Sequence, residues 1–324
     1  MSTLLVIGGT GFFGKSILDS FKRGALEKWR IERVIAMSRN AESLRKETPQ
    51  LISSGVELYS ADITTTSKLP AADIVIHAAA STDATRYITC PLQEQQNIQA
   101  GTYNYCKLAK TFHSGSKILY VSSGAVYGKQ PEGMTHIPEE YEANNLSELS
   151  EGKRDYAIAK RDAEKAIINL GQQGLSVSIA RCFAFAGPWL PRNQHFAIGN
   201  FIEDGLQGRP ITVKANKSVY RSYMYADDLV EWMMTIALHA SPECPVYNVG
   251  SDQAVLMGDL ARLTAGEFGV NASVPDITES SIDRYIPSIN KARNALGLTL
   301  QHDLIAGIRH TIHDIHATKR RLDA

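Results

Sequence analysis

Tyr156 and Lys160 stand four residues apart in Tyr156-Ala157-Ile158-Ala159-Lys160, the spacing that puts two side chains on one face of a helix. A phenol loses its proton at a pKa of about 10 in water. A neighbouring ammonium favours the phenolate and brings the group toward neutrality, where a general acid or base works best. Ser122-Ser123 closes an apolar run at residues 117–121, at the carboxyl edge where open parallel sheets hold ligands. Ser123 is placed there to hydrogen-bond a reacting oxygen and fix its angle. Taken alone, the Tyr/Lys pair also fits a packed ring with a lysine reaching past it to solvent.

A second group of residues argues for the chemical reading. Gly8-Gly9-Thr10-Gly11-Phe12-Phe13-Gly14 follows an apolar strand, Leu4-Leu5-Val6-Ile7, and opens a run with helical periodicity. Gly8 suits the tight turn, Gly11 the approach of backbone to a pyrophosphate, and Gly14 close helix–strand packing, with the helix N-terminus facing the phosphate charge. In that strand–turn–helix context the glycines point to a bound dinucleotide. The second strand ends in Ser38-Arg39 and offers no carboxylate for the 2′-hydroxyl of an NAD ribose. A hydroxyl and a guanidinium suit the 2′-phosphate of NADP; in the alternative, Arg39 stacks on the adenine of NAD. Asp62-Ile63, past the third strand, is placed to meet the adenine, and Asp62 equally suits a helix cap. With a nicotinamide ring adding positive charge, the Tyr156 pKa is expected to fall below its ordinary value.

These groups need elements to position them. Apolar runs at residues 4–7, 33–37, 56–59, 73–77, 117–121 and 177–180 alternate with helical patterns at 12–22, 41–52, 93–112 and 156–171. Strand and helix in alternation predict an α/β, doubly wound parallel sheet of the Rossmann kind over residues 1–186. After Gly187-Pro188 the rhythm breaks, with helical patterns at 196–208, 227–239, 257–268 and 303–318. Residues 187–324 therefore read as a smaller C-terminal substrate-binding lobe, some of whose segments return to the sheet. Residues 128–153 are polar, Glu-rich and contain two prolines, the composition of a long loop over the site.

Lys and Arg number 34, as do Asp and Glu, so no net charge draws the chain to nucleic acid or a membrane surface. The four cysteines are scattered without metal-ligand spacing, so no metal is expected and the thiols read as reduced. With no export signal or apolar span either, the expectation is a cytoplasmic protein.

Taken together the residues resemble the extended short-chain dehydrogenase/reductase superfamily, in its NAD(P)-dependent nucleotide-sugar epimerase/dehydratase branch. The resemblance runs through the Gly8–Gly14 loop, Ala61-Asp62-Ile63, His77-Ala78-Ala79-Ala80, Asn97 before Gly101-Thr102, and Ser122-Ser123-Gly124-Ala125-Val126-Tyr127-Gly128. It continues through Tyr156/Lys160, residues 181–188, Arg221 to Leu229, and Arg284-Tyr285-Ile286-Pro287 before Asn290-Lys291-Ala292. It implies that Ala78, Ala79, Ala80, Asn97, Tyr156 and Lys160 join the glycine loop, Ser38, Arg39, Asp62 and Ile63 in holding the cofactor. It implies that Arg221 and Arg284, with Ser123, hold a nucleotide-diphosphate sugar. It also implies a homodimer built on the helices at 93–112 and 156–171, with Tyr103, Leu108, Ala163 and Ile167 as contacts that could equally pack inside one chain. The chain departs from the family at Ala184, where Asn is frequent, and at Ala215-Asn216-Lys217-Ser218, which lacks glycine.

In that family, sugar 4,6-dehydratases carry Asp-Glu right after the catalytic hydroxyl, and decarboxylases a Glu. Gly124-Ala125 stand there and have no titratable group. Two reactions need only Ser123, Tyr156, Lys160 and the cofactor: reduction of a 4-keto-6-deoxy sugar with NADPH, and 4-epimerisation with retained NAD. Ser38-Arg39 tilts the expectation to the reductase. The intact Ser/Tyr/Lys set argues against a non-catalytic NADP-binding sensor or scaffold.

Overall fold

Leu4, Leu5, Val6 and Ile7 are all buried, which only a central strand covered on both faces allows. They belong to β1 (Ser2–Ile7) of a seven-stranded sheet. Its other strands are β2 (Ile31–Ser38), β3 (Val56–Ser60), β4 (Ile74–His77), β5 (Lys117–Ser123), β6 (Ser176–Cys182) and β11 (Val246–Val249), in the order β11-β6-β5-β4-β1-β2-β3. The pairings from β6 through to β3 are parallel. The order reverses between β1 and β4, the place where open α/β sheets take ligands. The computed structural model describes residues 2–80, 89–142, 146–192 and 194–322.

The chain forms two compact units. The first comprises residues 1–128, 143–182 and 230–247, and holds the sheet with α1 (Phe12–Lys22), α2 (Ser43–Glu47), α3 (Pro91–Phe112) and α4 (Glu151–Gln172). Ile98, Tyr105 and Leu108 of α3 and Ala159, Ala163 and Ile167 of α4 share one core with Leu5, Ile7, Val75, Ile118 and Ile179 of the sheet. Each large side chain so buried contributes about 1.5–3 kcal/mol. Three of the four expected dimer contacts, Leu108, Ala163 and Ile167, are thus committed to this core, and Tyr103 alone is exposed, at 52%. Helical spacing marks an apolar stripe but does not say which partner covers it.

Two elements differ from expectation for local reasons. Residues 41–52 do not form one helix: α2 stops at Glu47 and a single 3-10 turn, Pro49–Leu51, follows. Pro49 has no N–H to donate and pushes Thr48 out of the helical region, to φ −144°. α4 starts at Glu151, five residues before the expected start, so its first turn carries no apolar stripe to read.

The second unit comprises residues 129–142, 183–229 and 248–324. Its elements are short: β7 (Phe185–Ala186), α5 (Ala197–Leu206), β8 (Ile211–Thr212), β9 (Lys217–Arg221) and β10 (Met224–Tyr225) come first. After them come α6 (Ala226–Leu238), which passes on into the first unit, β12 (Val255–Leu256) and α7 (Met257–Phe268). β13 (Ala272–Ser273), β14 (Glu279–Tyr285), α8 (Asn290–Leu296) and α9 (Leu304–Leu322) complete it. β9 is the middle strand of a three-stranded sheet, antiparallel to β12 and parallel to β14. Part of the polar stretch expected as a loop is a strap bonded into this unit. The Ile137 amide donates to Ile286 O (2.9 Å), the Ser288 amide to Ile137 O (2.8 Å) and the Asn248 amide to the Glu139 carboxylate (2.7 Å). Among the described residues no helix is long and apolar enough to cross a membrane.

Candidate active site

The phosphate loop is the part of the first unit most constrained by sterics. Gly8 has φ +100°, and a β-carbon there would lie 2.8 Å from the carbonyl of Ala78. A β-carbon at Gly14 would lie 2.4 Å from Gly9 O, so α1 rests directly on the turn. Backbone bonds from Gly8 and Gly9 to Met37 O (2.8 and 2.9 Å) and from Ala78 to Ile7 O (2.8 Å) fix the loop against β2 and β4. Gly11 caps α1 without a side chain, and the first turn carries no acidic residue. The first amides of α1 therefore lack an intrahelical acceptor and point a positive dipole end outward, as a pyrophosphate requires. A dinucleotide fits this loop. Phe12 is buried and Phe13 half-buried beside it, their ring centroids 5.6 Å apart; Thr10 is half-buried.

The other expected cofactor residues lie along the same edge, with mixed commitments. Arg39 is exposed and pairs with none of the described residues. Ser38 Oγ is buried without a hydrogen-bond partner among them. Asp62 accepts from the amide and the hydroxyl of Thr64 (2.9 and 2.8 Å), which closes a turn at residues 63–65 and caps no helix, since none follows before β4. The Ile63 side chain is in the core, while its carbonyl accepts from Asn104 Nδ2 (2.9 Å). Ala78, Ala79 and Ala80 are half-buried after β4. Asn97 accepts from Gln93 Nε2 (3.2 Å) and donates to the buried Glu94 (3.5 Å).

Ser123, Tyr156 and Lys160 are brought together. Ser123 is hydrogen-bonded to the Tyr156 phenol and accepts from the Ala125 amide (3.2 Å), which opens the turn Gly124–Tyr127. Lys160 is 3% exposed; its Nζ donates to Val121 O (2.9 Å) and lies 5.9 Å from the Tyr156 ring centroid. Burial pushes this ammonium down to about 8. The expected lowering of the phenol does not occur in the chain alone. Burial pushes Tyr156 up to about 12, against the Ser123 hydrogen bond that works to lower it. His77, buried at the end of β4, meets Tyr105 edge-on at 4.9 Å; burial and then the Lys160 charge push it down to about 3, so it is neutral.

Sequence reasoning missed a buried polar network next to these groups. Ser122 Oγ donates to Glu164 Oε1 (2.5 Å), and Arg181 binds the same carboxylate through Nε (3.0 Å) and Nη2 (2.8 Å). Arg181 Nη1 donates to the Tyr127 hydroxyl (2.9 Å). The signal was available: a glutamate eight residues past Tyr156 lies on the same helix face, where an unpaired charge is not tolerated. The geometry also separates the two serines, with Ser122 turned to Glu164 and Ser123 to Tyr156.

In the second unit, Arg221 and Arg284 are not brought together. β14 pairs with β9 so that Arg284 lies beside Tyr220, and Tyr285 beside Arg221, which puts the two arginines on opposite faces of the ribbon. Arg221 binds Asp283 through Nη1 (3.1 Å) and Nη2 (3.3 Å). Arg284 donates to Glu132 O (2.7 Å) and stacks on Tyr220, 5.2 Å from its centroid. Among the described residues no cluster of three His, Cys, Asp or Glu side chains could hold a metal ion.

A profile of the NAD dependent epimerase/dehydratase family matches residues 4–250. UDP-glucuronic acid decarboxylase 1 of Xenopus tropicalis is 28% identical over 317 residues, covering 96% of this chain and 71% of that protein. UDP-glucuronic acid decarboxylase 3 of Arabidopsis thaliana is 27% identical over 91% of this chain and 83% of its own length. Among solved structures, UDP-glucose 4-epimerase of Thermotoga maritima with UDP-glucose superposes with a TM-score of 0.80 at 20% identity, over 98% of this chain and 99% of that one. The dTDP-glucose 4,6-dehydratase of Streptomyces venezuelae with NAD bound gives 0.78 at 20% identity, over 98% of both chains. At these identities the structural likeness is one of fold.

The buried ammonium leaves a signature in stability. Below about 8 both folded and unfolded chains carry the Lys160 proton, and the folded state bears the full cost of the buried charge. Between about 8 and 10.5 the unfolded chain keeps the proton and the folded chain has lost it, so this group makes stability rise with pH. Lys160→Met removes that contribution. The unfolding free energy of the unmodified protein minus that of Lys160→Met should therefore grow, by on the order of 3 kcal/mol, across this window. Urea titrations at a series of pH values measure it, and a constant difference would contradict a buried, protonated lysine.

Proposed function

The chain belongs to the NAD-dependent epimerase/dehydratase family, and from that premise we propose that it reduces the 4-keto group of a nucleotide-linked 4-keto-6-deoxy sugar with NADPH. The observation that carries this reading is the position after Ser123. Gly124 and Ala125 form the turn there and bring no titratable group, so neither sugar dehydration nor decarboxylation has its acid or base. The nearby carboxylate, Glu164, has both oxygens committed to Ser122 and Arg181. The decarboxylase relatives thus lend their architecture to this reading and not their reaction.

The loop Gly8, Thr10, Gly11, Phe12, Phe13 and Gly14 would hold the pyrophosphate, with Asp62, Ile63, Ala78, Ala79, Ala80 and Asn97 along the same edge. When bound, NADPH supplies the hydride. The Ser123 hydroxyl then orients the keto oxygen, and the Tyr156 phenol delivers a proton to that oxygen as negative charge develops on it. Burial keeps this phenol protonated at neutral pH, the state a reduction needs from its acid. Lys160 stabilises the phenolate left behind and is placed to hold the nicotinamide ribose. Arg221 would be the guanidinium offered to a diphosphate; Arg284, on the other face of the ribbon and tied to Glu132 O, does not share that role.

The same three side chains serve 4-epimerisation of a nucleotide sugar, the activity of the Thermotoga structure, and this is the second reading. Mass spectrometry of the purified protein separates the two: tightly retained NAD indicates an epimerase, exchangeable NADPH a reductase. In either case Tyr156→Phe should lower turnover by about 10²–10⁴ while fold and cofactor affinity persist. Near-normal turnover would end the proton-transfer role, whereas no turnover of the unmodified protein with any sugar nucleotide would favour a binding protein.

NADPH is favoured because a 2′-phosphate would give Arg39 and the Ser38 hydroxyl, neither paired among the described residues, a common ligand. Calorimetric titration should find NADP(H) bound tighter than NAD(H), and Arg39→Ala should remove about 1.5–3 kcal/mol of that preference. Equal affinities in the unmodified protein would overturn the assignment.

We also propose a homodimer across the outer faces of α3 and α4. Tyr103, Lys107 and Lys110 of α3 face Asp162, Lys165 and Asn169 of α4 across a shallow groove there. Light scattering at micromolar concentration should return twice the chain mass, and a monomer would refute it.

A further inference from the structure

The face of α4 that carries Tyr156 and Lys160 carries a third polar group at the same four-residue spacing. The three meet three consecutive residues at the end of β5. Tyr156 is bonded to Ser123, Lys160 Nζ donates to Val121 O (2.9 Å), and Glu164 accepts from Ser122 Oγ (2.5 Å). The first two contacts belong to the chemistry already described; the third does not touch it.

We propose that Glu164 is a positioning residue that locks α4 in register on β5, so that the Tyr156 phenol stays on Ser123. The inference rests on the reading that Ser123, Tyr156 and Lys160 carry the proton transfer. Glu164 is 5% exposed, and its carboxylate is saturated. Oε1 takes Ser122 Oγ and Arg181 Nε, and Oε2 takes Arg181 Nη2. Arg181 comes from β6 and passes the connection on to the Tyr127 hydroxyl, 2.9 Å away, with its guanidinium over the same ring at 4.9 Å. Tyr127 closes the turn that begins immediately after Ser123. One carboxylate therefore ties together α4, the end of β5, the following turn and β6.

Sliding α4 by one residue moves every group on it by about 1.5 Å. That breaks the 2.5 and 2.8 Å bonds and leaves two opposite charges buried apart. The helix thus has one strongly preferred register, and displacing a reacting group by about 1 Å costs on the order of 10²-fold in rate. Glu164 also bears on Lys160, one turn away. The charged or titratable groups that face that ammonium are Tyr120, Tyr156, Cys182, His77 and Glu164. Glu164 is the carboxylate of that set and favours the charged lysine.

The test uses the full chain in three variants. Turnover is followed as NADPH oxidation with dTDP-4-keto-6-deoxyglucose, and the Lys160 titration by NMR of Nζ-labelled lysine, its resonance assigned with Lys160→Met. Ser122→Ala leaves the Glu164–Arg181 pair intact and should lower kcat by about 10–100-fold, with KM and NADPH affinity unchanged. Glu164→Gln should lower kcat at least as far and move the Lys160 midpoint to lower pH. Glu164→Asp keeps the charge but shortens the reach, so it should restore the midpoint without restoring kcat. Normal kcat in folded Ser122→Ala overturns the proposal, as does an unmoved Lys160 midpoint in folded Glu164→Gln. Should Glu164→Gln not fold, Ser122→Ala decides. Failure of the parent reading looks different: turnover then survives Tyr156→Phe, while the Lys160 midpoint still reports whether Glu164 acts on that lysine.

Discussion

A desolvated ammonium at the carboxyl end of β5 organises the first unit. Moving a charge of this kind out of water costs several kcal/mol after relaxation, and Lys160 is 3% exposed. The surroundings answer that cost from each side. Val121 O accepts from Nζ at 2.9 Å, the Tyr120 ring lies 5.0 Å away, and the Tyr120 hydroxyl is in reach at 3.4 Å. Groups that could add positive charge do not: His77, pushed down to about 3, stays neutral. Groups that could become negative nearby are pushed the other way, with Cys182 and Tyr156 both up at about 12. The balance leaves a lysine at about 8 beside a protonated phenol, a pair whose proton inventory changes little between pH 5 and 7.

The second constraint is steric and lies at the order reversal of the sheet. Between β1 and β4 two loops run backbone against backbone, and glycine is the residue that admits it. Gly8 clears Ala78, and Gly14 clears Gly9, at separations no β-carbon tolerates. The uncapped start of α1 is thereby brought onto the same edge as Ser123, because β1, β4 and β5 are adjacent parallel strands. The N-terminal dipole end of α1 and the Ser123–Tyr156 pair thus share one rim of one sheet.

What was legible in the sequence was whatever depends on local spacing. The glycine turn and the i, i+4 Tyr/Lys spacing are each written within a dozen residues, and the structure has that turn between β1 and α1 and puts both side chains on α4. The strand–helix alternation likewise gives the parallel sheet. What failed to show depends on partners far along the chain. Glu164 and Arg181 are 17 residues apart and meet only once β6 has docked beside β5. Leu108, Ala163 and Ile167 have the spacing of an interface, and their burial became plain only with the sheet beneath them. The phenol was read with a cation beside it and no account of burial, which is the larger influence in the chain alone. Pro49 is the exception, a purely local signal that breaks residues 41–52 inside an otherwise helical pattern.

The second unit shows how a register decides what two arginines can do. Pairing of Arg284 with Tyr220 sends Arg221, Asp283, Val219 and Tyr285 to one face and Arg284 with Tyr220 to the other. On its face, Arg221 spends Nη1 on Tyr220 O (2.8 Å) and on the Asp283 carboxylate, and one Nη2 donor on the second Asp283 oxygen. A guanidinium has five N–H donors in a rigid fork, so the end-on edge is occupied and the Nε edge is without a partner among the described residues. An anion approaching this face meets that Nε edge with Asp283 still in place, or takes the end-on fork by displacing a carboxylate. Arg284 presents no matching fork there, since it is on the opposite face and holds the strap through Glu132 O. Whatever charge the second unit grips from the Arg221 face, it grips with one arginine whose formal charge is already half-answered by its own neighbour.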